Sequence, residues 1–474
     1  MKKSFVLLIA VSLFYTTSGQ NNAVPSPIVT GPVTGPGSIF SASCADLSPY
    51  CYIEEEFFLE GNARRYDFNI DTVNAKQSDP AYPGSFFYYL NGIPGNAIPI
   101  GTLYPYKTRI IVRRPAIPEK FNGTVVVEWL NVASLFDIDP NWYHLHDHLM
   151  RSGYAWVGVS AEKGGIHTPK GLRNWNPARY GSLDVSADST LFNDELRFDI
   201  YSQAVMALKG EQKVRPLGNL RPEIIIASGH SRSAYMLTGY FNFIQPIAGI
   251  IDGFIILGAG GMLRNDVPAK VFKMNAETDL IELWQIPVRQ PDSGHRITWE
   301  FAGTSHADQV FRDAYVANCT RDLGTVPALE CEKPLCSVIP FYYGFSAALN
   351  HLNQWIREKI APPAGIPITV QQTQPVVILE RDTLGNVSGG IRLPQFAVPV
   401  AMNSGINAGS LFCKMYGTHK EFDQKTLKSL YPTHQAYLIK FNASVLENLK
   451  AGYILKADTS AMMDKARRLS ILWY

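Results

Sequence analysis

A serine, an acid and a histidine stand in this chain in the order and spacing that acyl transfer to a hydroxyl requires. Ser231 lies in Gly229-His-Ser-Arg-Ser233, directly after the apolar run Ile224-Ile-Ile226 and directly before Ala234-Tyr-Met-Leu-Thr-Gly-Tyr-Phe241, a stretch of helix formers without proline. A buried strand, a sharp turn with serine at its apex and then a helix is the context that makes a G-x-S-x-G-like motif credible as a nucleophile elbow. The turn brings together the residues two before and two after the serine, so both must be small. Gly229 and Ser233 meet that requirement, with Ser233 in place of the usual glycine. The helix N-terminus behind Ser231 supplies N–H groups and partial positive charge where an oxyanion would develop, and the N–H of Arg232 is the first expected donor.

In this arrangement the acid and the histidine follow the serine at the ends of later strands. Residues 249–258, 270–275 and 296–301 read as those strands. Asp279 comes just past the second of them, 48 residues after Ser231, and His306 just past the third, 27 residues after Asp279. His306 would take the proton from Ser231 and return it to the leaving group, and Asp279 would hold the imidazole tautomer. Glu277 is the rival acid on the same loop. Asp266 and Asp292 follow no strand-like run. The second oxyanion donor is expected from the loop after strand 123–131, whose buried core is Val125, Val126 and Val127, through the N–H of Val132 or Ala133. Glu128 is read as an acid that orders that loop, without a catalytic role.

Strands alternating with helical stretches imply an α/β class: a mostly parallel central sheet flanked by helices. Residues 1–19 have a basic start, a short apolar core and small residues suited to cleavage, the pattern of a secretory signal peptide. Residues 20–361 read as the α/β core, closed by a helix over 341–359. Residues 362–474 read as a C-terminal extension packed on the core, with strand-like 375–379 and 397–401 and a helical 437–450. Phe412, Tyr416 and Tyr431 in this extension could cover the site or simply pack. The stretch 162–193 is far longer than a usual connection. It could form a pocket wall or lid, with Trp175, Arg179 and Tyr180 as candidate substrate contacts, or be a packed excursion.

Composition narrows the function classes. The 474 residues are 46% hydrophobic, enough for a large core. Forty-three basic and 41 acidic residues leave a net charge of +2, so there is no electrostatic footprint for nucleic acid, and no segment after the start is apolar enough to span a bilayer. Six cysteines remain after export: Cys44, Cys51, Cys319, Cys331, Cys336 and Cys413. An even number in an oxidising compartment favours three disulfides. Cys44 and Cys51 could clip the N-terminal arm, and the other four could tie the loop after His306 to the C-terminal region, in any of three pairings. Sequons at Asn122, Asn318, Asn386 and Asn442 make a glycoprotein possible in a glycosylating host, with Asn122 and Asn442 as surface sites. In His144-Leu-His-Asp-His148 only His144 and His148 share a helix face, and no third ligand joins them. No metal and no cofactor is expected.

Several motifs together resemble the "alpha/beta hydrolase domain-containing" family. They are Val127-Glu-Trp-Leu-Asn131, Arg151-Ser-Gly-Tyr-Ala-Trp-Val-Gly-Val-Ser-Ala161, Tyr180-Gly-Ser-Leu183, Ala276-Glu-Thr-Asp279 and Gly303-Thr-Ser-His-Ala-Asp308. Tyr52-Ile-Glu-Glu-Glu-Phe57, Gly389-Gly-Ile-Arg392 and Leu430-Tyr-Pro-Thr-His434 extend the similarity to roughly residues 45–460. The resemblance implies a serine hydrolase fold with Ser231, Asp279 and His306 as its triad, and it names no substrate. The expected function is a secreted serine hydrolase acting on a small-molecule carboxylic ester. The alternative is a catalytically silent or non-hydrolytic member of the fold, a binding protein or a lyase, since fold does not guarantee function.

Overall fold

The apolar runs of the sequence become the parallel half of one sheet. The structure is a computed structural model and describes residues 24–68, 95–191, 193–210, 212–410 and 412–469. The expected signal peptide, residues 1–19, lies outside the described residues. In chain order the strands are β1 (Ile28–Thr30), β2 (Tyr52–Asp67), β3 (Ile98–Pro115), β4 (Thr124–Trp129), β5 (Ala155–Val159), β6 (Ile224–His230), β7 (Gly253–Leu257), β8 (Lys270–Ala276) and β9 (Arg296–Phe301). They form one nine-stranded sheet in the order β1-β2-β3-β5-β4-β6-β7-β8-β9. The pairings are antiparallel from β1 through β2 and β3 to β5, and parallel from β5 onward.

The main helices are α1 (Pro140–Arg151), α2 (Arg197–Lys209), α3 (Arg232–Gly239), α4 (Glu277–Glu282), α5 (Gln309–Leu323), α6 (Phe341–Glu358), α7 (His434–Ala451) and α8 (Thr459–Arg467). Successive side chains of a strand point to opposite faces, and here both faces are covered. Val125, Val127, Ile225 and Ala227 pack with Phe198 and Tyr201 of α2. Val126, Ile224 and Ile226 pack on the other face with Trp142 and Leu145 of α1 and Leu349 and Leu352 of α6. Each fully buried Val or Ile contributes roughly 1.5–3 kcal/mol of transfer free energy. This two-sided burial is why β4 and β6 read as unbroken apolar runs and why their C-terminal ends are rigid supports.

The antiparallel half did not announce itself in the sequence. Glu54-Glu-Glu56 lies inside β2, and its three carboxylates are answered by arginines of β3. Glu54 meets Arg113 at 2.7 Å, Glu55 meets Arg114 at 2.7 Å and Glu56 meets Arg109 at 3.2 Å.

The C-terminal region joins the sheet edge. Ile391 bridges Phe301, donating to Glu300 O at 2.7 Å and accepting from Ala302 N–H at 3.0 Å. Tyr437, Phe441 and Val445 of α7 and Met462 of α8 enter the same apolar cluster as α1 and α6. Tyr431 belongs to that cluster too and packs instead of covering the site.

Three expectations need correction. The strand expected over 397–401 is a helical turn, Pro394–Ala397, followed by a short strand, Ala401–Ser404, paired antiparallel with Thr418–Glu421. Pro394 pre-sets the first helical φ, which favours the turn. Of 375–379 only Ile378–Leu379 pairs as strand, because Pro375 has no N–H to give a ladder.

The third correction concerns the cysteines. Among the described residues only Cys331 and Cys413 are bonded, with Cα atoms 5.3 Å apart, and this bridge does tie the loop after His306 to the C-terminal region. Cys44, Cys51, Cys319 and Cys336 are free thiols. Cys44 does not clip to Cys51: its thiol donates to Asn318 Oδ1 at 2.6 Å, beside α5. Cys319 and Cys336 are buried in apolar packing. The sequon residues Asn318 and Asn386 are buried, which removes them as glycan sites, and Asn442 is exposed.

Candidate active site

The end of β6 turns into α3 through one residue, Ser231, at φ 59° and ψ −121°. Positive φ at a non-glycine residue costs on the order of 1–3 kcal/mol and persists only where neighbours fix it. Ser231 N–H donates to Leu257 O at 2.9 Å. Ser233 clasps the turn from behind, its hydroxyl donating to His230 O at 2.9 Å and accepting from His230 N–H at 3.2 Å. A Cβ on Gly229 would stand 2.8 Å from Ser233 O. Small residues on both sides of the elbow are therefore a steric need, and Ser233 adds a hydrogen bond that glycine could not make.

Asp279 lies in the first turn of α4, directly after β8, and His306 in the loop after β9. Asp279 Oδ1 and His306 Nδ1 are 2.6 Å apart, and Asp279 Oδ2 accepts from Ala276 N–H at 2.6 Å. Both side chains are buried. Burial lifts the Asp279 carboxyl above its ordinary range, against the pull of His306. His306 N–H donates to Thr278 Oγ1 at 3.2 Å, which anchors the loop to α4. Gly258, at φ 73°, leaves room for this pair: a Cβ there would stand 2.9 Å from His306 Nδ1 and 3.1 Å from Asp279 Oδ2.

Glu277, the rival acid, faces elsewhere. Its carboxylate takes Arg381 at 2.5 Å, the Ser404 hydroxyl at 3.0 Å and Gly303 N–H at 3.1 Å. It ties the histidine loop to the C-terminal region and makes no contact with His306. Arg381 was not singled out in the sequence, because its partner lies 104 residues away.

On the far side of the elbow, the loop after β4 closes on itself, with Asn131 and Ile138 exchanging backbone hydrogen bonds at 2.9 Å. Asn131 Nδ2 donates to His230 O at 2.7 Å, which joins this loop to the elbow. Asn131 Oδ1 accepts from Ala133 N–H at 2.8 Å. That bond corrects the expectation for Ala133, whose N–H is already engaged and whose side chain lines the pocket. Val132 is the remaining donor candidate on the loop. Glu128 orders the loop's exit as expected: buried and pushed up to about 8 by burial, it accepts from Asn141 and Trp142 N–H at the start of α1 and from the Trp156 indole.

His230 stacks on His306 with ring centroids 4.3 Å apart. Burial, then the neighbouring His306 and His144, hold the His230 imidazole well below its usual range. It therefore stays neutral and can lie against an imidazolium without charge repulsion. His144 sits behind it, its two ring nitrogens 2.9 Å from Pro140 O and 3.0 Å from Asp308 Oδ1. Burial disfavours the charged His144 ring, but Asp308 raises its pKa above the ordinary value. His148 is pushed down to about 3 by burial. Among the described residues no cluster of three or more His, Cys, Asp or Glu is arranged to hold a metal.

A pocket of about 370 Å³ opens on Ser231, His230 and His306. Besides the loop after β4 and Leu283, three segments wall it: Phe311, Arg312, Tyr315 and Val316 on α5, then Val326, Pro327, Leu329 and Leu335, then Phe412, Met415 and Tyr416. The Cys331–Cys413 bridge joins the second segment to the third. Phe412 and Tyr416 thus do face the site. The α5 wall was not foreseen, although Phe311, Tyr315 and Arg312, Val316 recur at the four-residue spacing of one helix side just past His306.

Trp175, Arg179 and Tyr180 do not reach this pocket. The Trp175 indole donates to Asp322 O at 2.6 Å. Arg179 binds Glu56 at 2.7 Å and the Tyr180 hydroxyl donates to Glu56 at 2.8 Å, in a buried network with Arg109 and Asp137. The long 162–193 stretch is a packed excursion whose arginine neutralises a buried glutamate of β2. Arg179→Ala is therefore expected to cost roughly 3 kcal/mol of stability, at the low end for a broken buried pair because Glu56 keeps Arg109, and to leave KM for substrates unchanged. Urea unfolding beside steady-state kinetics checks this, and a raised KM at unchanged stability would restore Arg179 to the pocket.

No helix among the described residues is long and apolar enough to cross a membrane. The sequence matches a family model described as "Alpha/beta hydrolase domain" over residues 24–464. No curated protein matches it. Among solved structures it is similar to an α/β serine hydrolase without lid from Xanthomonas campestris, at 14% identity, covering 47% of this chain and 92% of that chain, with a TM-score of 0.28. It is also similar to a glucuronoyl esterase from Teredinibacter turnerae, at 10% identity over 70% of this chain and 79% of that chain, TM-score 0.29. A glucuronoyl esterase from Solibacter usitatus aligns at 10% identity over 57% of this chain and 82% of that chain, TM-score 0.25.

Proposed function

This chain belongs to the alpha/beta hydrolase domain family, and from that premise we propose that it is a secreted serine hydrolase cleaving small-molecule carboxylic esters through an acyl-enzyme on Ser231. One observation carries the reading. His306 is held by Asp279 at 2.6 Å through Nδ1, in a pocket that also contains Ser231 at the strained apex of the elbow.

With Nδ1–H donating to Asp279, the tautomer leaves the Nε2 lone pair free to act as the base. His306 Nε2 takes the Ser231 proton as Oγ attacks the ester carbonyl carbon, and Asp279 stabilises the resulting imidazolium. Neutral His230, stacked on His306, presents an aromatic face to that cation. The negative charge on the tetrahedral oxygen is received by the N–H groups of Arg232, at the start of α3, and Val132. Collapse breaks the C–O bond, and the alcohol leaves with the proton from His306. Water then attacks the acyl-enzyme, gives its proton to His306 and releases the carboxylic acid, returning Ser231 to the hydroxyl. No cofactor enters these steps. Export is supported by the signal-like start and by the Cys331–Cys413 bridge, which persists in oxidising compartments.

Rapid acid quench during turnover of 4-nitrophenyl esters of graded acyl length tests the reading. The acyl mass is expected on the peptide that contains Ser231. Turnover with the acyl group on another residue, or hydrolysis undiminished in Ser231→Ala, would contradict it.

A further inference from the structure

Among the described residues that line the catalytic pocket, Arg312 alone carries a permanent charge, the histidines aside. Several arginines elsewhere are matched with carboxylates, Arg109 with Glu56 and Asp137, Arg113 with Glu54 and Asp139, Arg289 with Glu300 and Arg381 with Glu277, while Arg296 and Arg392 are held by carbonyl oxygens instead. No such partner lies within ion-pair distance of Arg312 among the described residues. The two acids nearest in sequence act on the same Cys336 thiol as Arg312 but bond to other groups. Asp308, one helical turn earlier, faces His144 at 3.0 Å and caps α5 through Phe311 N–H at 2.9 Å, and Asp313 accepts from Gln309 at 2.6 Å.

The surroundings make this guanidinium conspicuous. Arg312 is half-buried, and its charge acts on the Cys336 thiol and the Tyr416 phenol. Tyr315 and Val316 share its helix face, three and four residues on, and the opposite walls are apolar. A cation over such walls has little protein polarity to answer it, whereas an incoming carboxylate can take two parallel N–H···O bonds from the fork. The rim residues Val326 and Phe412 are themselves exposed apolar groups, at 36% and 44%. A ligand that matches this pocket has a reacting ester near Ser231, an apolar middle and an anionic end.

Resting on the hydrolase reading above, we propose that the substrate is a carboxylate-bearing ester, an amphipathic monoester whose free carboxylate pairs with Arg312 while its hydrocarbon part lies against the α5 wall. The carboxylate could belong to the acyl part or to the alcohol part. Two matched pairs of esters separate these sources: monomethyl suberate against methyl octanoate, and 6-acetoxyhexanoate against hexyl acetate.

The expected result is a kcat/KM preference for the acid over the neutral ester of about tenfold or more in one pair, the size of a charge-assisted hydrogen bond. In Arg312→Gln that preference collapses toward one, mostly through KM, and Arg312→Lys keeps part of it. Calorimetric titration of monomethyl suberate and 6-acetoxyhexanoate into Ser231→Ala protein, with and without Arg312→Gln, reads the same subsite without turnover. One of the two is expected to bind about tenfold more weakly when Arg312 is lost. Binding that depends on Arg312 without hydrolysis in the wild type would sink the hydrolase reading and leave the anion subsite standing. Equal rates for acid and neutral esters, or equal binding with and without Arg312, would overturn the subsite.

Discussion

Ser231→Ala is expected to lower kcat/KM for esters by about 10⁴- to 10⁶-fold, and His306→Ala by a similar factor, with the fold retained in both. The two losses should not add, because nucleophile and base act as one unit. Ser231 makes its backbone bond to Leu257 O whatever its side chain, so alanine should keep the elbow closed through the Ser233 clasp. A stability measurement separates chemistry from folding: thermal unfolding of Ser231→Ala should stay near the wild type, because alanine keeps the Cβ that bears the positive-φ strain. Retention of more than a tenth of the activity in either variant would remove that residue from the mechanism.

Asp279→Asn is expected to cost about 10⁴ in kcat in a well-folded protein. The amide introduced there can place its NH₂ toward His306 Nδ1, and the imidazole then carries its proton on Nε2, where it cannot accept from Ser231. Glu277→Gln should behave differently. That side chain is fully buried and satisfies Arg381, Ser404 and Gly303, so its substitution should lower the unfolding temperature and leave most of the activity below it. If Glu277→Gln were the crippling change and Asp279→Asn mild, the roles of the two acids would be exchanged.

The candidate constellation was legible in the sequence because its geometry is local. Each candidate follows an apolar run that a two-sided parallel sheet must bury, and the observed β6, β8 and β9 lead into Ser231, Asp279 and the His306 loop. Choosing between Asp279 and Glu277 needed coordinates, since both lie on one turn and only three-dimensional contacts show which faces the histidine. The pocket was largely hidden, because it is built from segments far apart in the chain, with Phe412 and Met415 brought to Leu329 and Leu335 across the Cys331–Cys413 bridge. Arg179 misled for a related reason. A Trp- and Arg-rich loop looks functional until its partner is known, and that partner, Glu56, stands 123 residues earlier. The cysteine count also pointed the wrong way, because evenness says nothing about distance.

Reaction of the wild-type protein with a fluorophosphonate probe, read by peptide mass spectrometry, tests the central claim most directly, since the probe phosphonylates only an activated serine. A single adduct is predicted on Ser231, absent in Ser231→Ala and formed far more slowly in His306→Ala. A folded wild-type protein that stays unlabelled, or that carries the adduct elsewhere, would contradict the assignment of Ser231 as the nucleophile.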